Sequence, residues 1–220
     1  MIDIVGQIND THRQVGHRRI AAGEGRTVLL RRRYGAPIED VWNACTDPDR
    51  INRWFLPVTG DLHVGGTYQL EGNAGGEILH CQPPHRLTVS WVFGDSPASE
   101  VEVRLFSGGV GDTLFELEHA AVVDPKLWGE YGPGAVGVGW DLALLGLNMH
   151  LEGESPEDLA AWNETPEATE WIVQSSQAWG AAYEAAGATA SQAAAARENT
   201  TNFYAPKVPT NATTDENQSG

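Results

Sequence analysis

The 220-residue chain is 41% hydrophobic, enough to bury a sizeable core in one domain with extensions or in two small domains. Its 14 basic residues face 30 acidic ones for a net charge of -16, and residues 54–220 alone hold 5 basic and 23 acidic residues. That balance argues against nucleic-acid binding and against an anionic membrane surface, both of which draw affinity from Lys and Arg, and favours a basic partner surface.

Taken in chain order, residues 1–25 set Val5, Ile8 and Val15 at loose helical spacing among Arg13, His17, Arg18 and Arg19, which predicts an amphipathic extension lying on the body. This start lacks the apolar core of a signal peptide. With only Cys45 and Cys81 present, the chain is expected to be cytoplasmic with free thiols. Thr27 to Tyr34 reads as a first strand, ended by Gly35-Ala36-Pro37. Pro37 suits the first turn of a helix whose Ile38, Val41, Trp42 and Cys45 share a face, and Asp47-Pro48 opens a second short helix before Trp54-Phe55.

A series of short strands with tight turns follows. Leu62 and Val64 alternate with polar neighbours, as do Tyr68 and Leu70, with Gly65-Gly66 between them. Glu77 to Gln82 is another run. Leu87, Val89, Trp91 and Phe93 form the cleanest inward set, followed by Val101, Val103 and Leu105, then by Phe115, Leu117 and His119 opposite Glu116 and Glu118. Tight turns make these strands antiparallel neighbours.

The strongly apolar segment Gly139 to Leu151 predicts one helix that needs cover on most sides, and it is too short and too often interrupted by Asp141, Asn148 and His150 to span a bilayer. The pattern therefore gives an α+β fold: a curved antiparallel sheet of about seven strands around one long helix. Gly132-Pro133-Gly134-Ala135-Val136-Gly137 matches G-x-G-x-x-G, but no buried strand precedes it, so it reads as the loop into that helix and not as a dinucleotide site. Beyond the helix, Ser155-Pro156-Glu157-Asp158 is a capping box. Thr165-Pro166 opens a longer helix with Trp171 and Trp179, and Thr189 and Gln192 start a last one through Phe203. Trp162, Trp171 and Trp179 are too apolar to leave in water, and the expectation is that they dock on the same chain. Residues 205–220 are polar and read as a disordered tail.

Several motifs occur together and in order: Ala36-Pro37-Ile38-Glu39-Asp40-Val41-Trp42, Thr46-Asp47-Pro48, Trp54-Phe55, Val64-Gly65-Gly66-Thr67-Tyr68, Pro84-His85-Arg86-Leu87-Thr88-Val89-Ser90-Trp91 and Phe115-Glu116-Leu117-Glu118-His119. This series resembles the family related to the C-terminal domain of the activator of the 90-kDa heat-shock protein ATPase. That family lies in the START-like, or SRPBCC (Bet v-type), superfamily. The resemblance covers residues 26–151 and implies a helix-grip domain there, flanked by the extension 1–25 and by appended helices over 152–204. It also implies a cavity between sheet and helix, and members include carriers of apolar ligands, cyclases and chaperone activators.

A place on a predicted inward face or on the covering helix makes Trp54, Phe55, Tyr68, Trp91, Phe93, Phe115, His119, Trp140 and Leu144 candidates for the cavity lining, with plain core packing as the alternative for each. His119, and beside it Tyr68, are the candidate proton carriers if the chain is an enzyme. Neither H-E-x-x-H nor paired C-x-x-C occurs, so no metal and no cofactor are expected. The first reading is a carrier of an apolar small molecule, as monomer or homodimer. A polyketide cyclase or hydrolase and a chaperone-interacting module are the alternatives.

Overall fold

A computed structural model describes residues 3–154, 162 and 165–205. The chain opens with a short helix α1 (Ile4–Asn9) and a hairpin of β1 (His12–Ile20) and β2 (Gly23–Tyr34). Two helices follow, α2 (Ile38–Thr46) and α3 (Pro48–Trp54), the second capped by the Asp47 side chain, which accepts from the Arg50 amide at 3.0 Å. Six more strands come next: β3 (Val58–Gly60), β4 (Thr67–Leu70), β5 (Gly75–Gln82), β6 (Arg86–Trp91), β7 (Ser99–Gly109) and β8 (Asp112–Ala121). They join β1 and β2 in one antiparallel sheet of order β1-β2-β8-β7-β6-β5-β4-β3. The short α4 (Pro125–Tyr131) leads to the long α5 (Gly134–Leu151), and α6 (Pro166–Ala185) and α7 (Ala190–Tyr204) complete the described chain.

The strand alternation seen in sequence sets which face is covered. Val28, Leu30, Val101, Leu105, Phe115 and Leu117 turn to the concave side and pack with Val138, Trp140, Leu144 and Leu147 of α5 in the main core. The opposite face is solvated through ion pairs: Arg31 and Arg104 both hold Glu116, Arg104 and Arg86 both hold Glu102, and Arg18 holds Glu100 and Glu118. The four arginines and four glutamates of this ladder balance, so the acidic excess lies on the helices and loops.

Three expectations are corrected. The N-terminal stretch is helical only over Ile4–Asn9; His12–Ile20 is an edge strand whose full register pairs with β2. Leu62 and Val64, expected in a strand, lie in the turn between β3 and β4 and are exposed, and the sheet has eight strands. The core helix begins at Gly134, so Gly134 to Gly137 form its first turn and only Gly132 and Pro133, which cap α4 and α5, make the loop into it. A Cβ on Gly137 would stand 2.2 Å from the Trp179 ring, and one on Gly146 would stand 2.6 Å from the Trp54 carbonyl oxygen. These glycines let α6 and α3 approach the helix backbone.

Trp171 and Trp179 are buried, Trp171 with Ile8 and Leu145 and Trp179 in the main core, while Trp162 is partly buried beside Trp171. Asp141 of α5 ties three parts of the chain together. Its carboxylate accepts from Arg13 Nε at 3.0 Å and Nη2 at 2.9 Å, from Ser175 Oγ at 2.5 Å and from Trp179 Nε1 at 2.9 Å. A buried carboxylate with this many donors and a guanidinium across from it is compensated for its desolvation. The capping box at Ser155 and most of the tail at 205–220 lie outside the described residues.

Candidate functional site: an apolar cavity in the grip

Between the concave face of the sheet, α3 and the middle of α5 lies a cavity of about 460 Å³. That volume is within the range of small-molecule sites. Trp54, Phe55, Tyr68, Trp91, Phe115, Trp140 and Leu144 all line it, so seven of the nine candidates meet at one place. Phe93 does not: it stands past the end of β6 and is 58% exposed. His119 does not either. It sits beyond Trp140, on the wall of a second cleft.

Five of the lining aromatics form a continuous arc. Trp54 stacks on Phe55 at 5.5 Å between ring centroids, Phe55 on Trp140 at 6.2 Å, Trp140 meets Trp91 at 5.1 Å, and Trp91 meets Tyr68 at 6.5 Å. Three of their four side-chain donors are already used within the protein, and Trp91 Nε1 alone has no partner among the described residues. Trp54 Nε1 donates to the Ala44 carbonyl at 3.0 Å, Tyr68 Oη to the Ser90 carbonyl at 2.8 Å, and Trp140 Nε1 to His119 Nδ1 at 3.1 Å. The arc therefore offers mainly ring surface to the space it encloses.

His119 is fixed from both sides. Because Nδ1 accepts from Trp140, the ring proton sits on Nε2, which donates to Ser99 Oγ at 2.8 Å; Ser99 Oγ in turn donates to the Trp91 carbonyl at 2.8 Å. Burial, reinforced by the charge of Arg18, lowers the His119 pKa to about 4. The ring is thus neutral at physiological pH and serves as a spacer behind two cavity tryptophans. Burial also pushes the Tyr68 hydroxyl well above its ordinary value and the Cys45 thiol up to about 12, so neither ionises near neutrality.

Sequence reasoning did not single out Cys45, Ile51, Val58, Cys81 and Ala143, nor the exposed Leu62, His63 and Val64 as cavity-lining residues. Leu87, Val89, Val101, Val103 and Leu117 also line it, and their inward parity was the available signal. Both cysteines of the chain are free and both line the cavity.

A curved antiparallel sheet closed around one buried helix, with an apolar cavity between them, defines a helix-grip protein of the START-like class. The model of the family described as Activator of Hsp90 ATPase homolog 1-like protein matches residues 35–152, which run from just before α2 to the end of α5. The chain belongs to that family. It is also similar to CalU16 from Micromonospora echinospora, whose crystal structure is 45% identical with a TM-score of 0.66, covering 79% of this chain and 98% of that one. The solution structure of CalU16 gives 44% identity and a TM-score of 0.69, covering 80% and 96%. DynU16, described as a putative protein in the dynemicin biosynthetic locus, is 25% identical with a TM-score of 0.53, covering 59% of this chain and 48% of that one. No curated protein matches the chain. No helix among the described residues is long and apolar enough to cross a membrane.

Proposed function

We propose that this protein binds an apolar small molecule with a flat, conjugated portion in the cavity between sheet and helix. The arc of five aromatic rings, three of whose four side-chain N–H and O–H donors are already bonded within the protein, with only Trp91 Nε1 left over among the described residues, carries this reading. Such a wall offers mainly dispersion and ring stacking, so a ligand gains chiefly by burying apolar surface. The likeness to a protein of a biosynthetic locus supports a biosynthetic intermediate or product as the ligand class. The neutral, doubly bonded His119 behind the wall favours a carrier over a cyclase or hydrolase, because a proton carrier needs a titratable group facing the ligand. Two free cysteines beside the cavity fit a reducing cytoplasm.

The test is native mass spectrometry of protein from its own host, with release and identification of any bound compound, followed by titration of the purified chain with that compound or a panel of conjugated apolar compounds. Binding is expected at one equivalent, and Ala143→Phe, which fills the cavity from α5, is expected to weaken it at least about tenfold. No bound compound together with no binding from the panel rejects the carrier reading.

The family description supports a second reading, contact with a chaperone of the 90-kDa class through the acidic helices and loops. Salt-sensitive binding to that chaperone and a rise in its ATPase rate are the expected signs.

A further inference from the structure

At the other end of α5 a second cleft of about 430 Å³ opens on the same concave side of the sheet. Val28 and Ala121 lie at its base, Trp128 of α4 and Val136 of α5 on its flanks, and Phe203 of α7 at its edge. Trp140 lines the first cavity and His119 the second cleft, and the 3.1 Å bond between them forms the partition. Leu127, Val136 and Phe203 are 55%, 38% and 64% exposed, so apolar surface that folding leaves uncovered converges on this one concavity.

The cleft also holds a cation. Arg26 shares the cavity-facing parity of β2 with Val28 and Leu30, its guanidinium carbon lies 5.1 Å over the Trp128 ring, and its Nη1 meets His17 Nε2. Eight other arginines are ion-paired with carboxylates, yet among the described residues none lies within ion-pair distance of Arg26. In a chain of net charge -16, an arginine left unpaired, held over an indole and placed at an apolar cleft is suited to an anion with an apolar body.

We propose that this second cleft is a binding site for a compact aromatic carboxylate, with its ring system against Trp128, Val136 and Phe203 and its carboxylate on Arg26. The site is separate from the first cavity, and its existence does not depend on what that cavity carries.

The test is methyl NMR of the full chain titrated with 2-naphthoate and, in parallel, with the neutral 2-naphthamide. The Val28, Val123 and Val136 methyls report the cleft, and those of Val89, Val101 and Val103 report the first cavity. The carboxylate is expected to shift the cleft methyls saturably and to bind about tenfold tighter than the amide, as a charge-assisted bond to a guanidinium implies. Arg26→Gln is expected to abolish that preference while leaving the first-cavity methyls in place, which shows that the variant is folded. Equal affinities for acid and amide, an undiminished preference in Arg26→Gln, or shifts confined to the first-cavity methyls would each overturn the proposal.

Discussion

His119 occupies an inward position on β8 and still does not face the first cavity, because Trp140 lies between them and takes its Nδ1. Its energetic signature is pH dependence, not catalysis. The folded ring has a pKa near 4 against an ordinary value of 6.5, lowered by burial and by Arg18. Between those values the unfolded chain takes up a proton that the folded chain refuses, so stability falls as pH drops from about 6.5 to about 4 and is unaffected by this group above that window. The loss amounts to about 3 kcal/mol across the window. Urea denaturation at stepped pH is expected to show that limb in the wild type and a shallower one in His119→Gln. Parallel curves for the two proteins would mean that His119 is not the neutral buried ring described here. Glu102 adds a separate loss at lower pH: burial raises its pKa, but Arg86, Thr88 and Arg104 outweigh this and hold it below the usual carboxylate range.

Among the elements, the core helix shows what residue patterns conceal. Glycine disfavours helix by roughly 1 kcal/mol relative to alanine, so Gly134 and Gly137 read as loop; the helix accepts them because Trp179 and Thr200 lie against the backbone at those positions. Gly137→Ala is therefore expected to destabilise the protein by about 1–3 kcal/mol through overpacking, despite its better propensity. Gly129→Ala in α4, where a Cβ meets nothing within 4 Å, is expected to be stabilising by about 0.5–1 kcal/mol. Thermal unfolding of both variants checks the pair, and a stabilising Gly137→Ala would contradict the close packing of α5 on α6. The strands were legible where apolar and polar residues alternate against a single core, as in Leu87 to Trp91 or Phe115 to His119. Strand β1 was not, because only Val15 and Ile20 among its residues are aliphatic and its inward Arg13 is there for Asp141 on a distant helix. Leu62 and Val64 alternate as a strand does, yet the chain turns there and exposes them beside the cavity. Parity thus found which residues face inward. It could not find where the inward face ends, which is why Phe93 and His119 stand outside the cavity, and it gave no sign of a cleft assembled from β2, β8, α4, α5 and α7.

For the molecule as a whole, the question is whether α6 and α7 are an appendage or part of the core. The buried Trp171 and Trp179 argue for the second, since removing either indole from a packed interior costs about 3–5 kcal/mol and a whole domain is stable by only about 5–15 kcal/mol. The electrostatics agree. Without Ser175 and Trp179, Asp141 keeps Arg13 but loses two of its four donors, and the pair becomes open to water. The first cavity, by contrast, takes no lining residue from α6 or α7. A chain ended after Glu154 is therefore expected to retain the sheet's far-ultraviolet circular dichroism but to unfold without cooperativity and to bind 1-anilinonaphthalene-8-sulfonate strongly, through the face of α5 that the two helices cover. A truncated chain that unfolds cooperatively within a few degrees of the full one would show instead that the grip alone holds the fold. The tryptophans of α6 would then be a docked attachment whose burial benefits the helices more than the sheet.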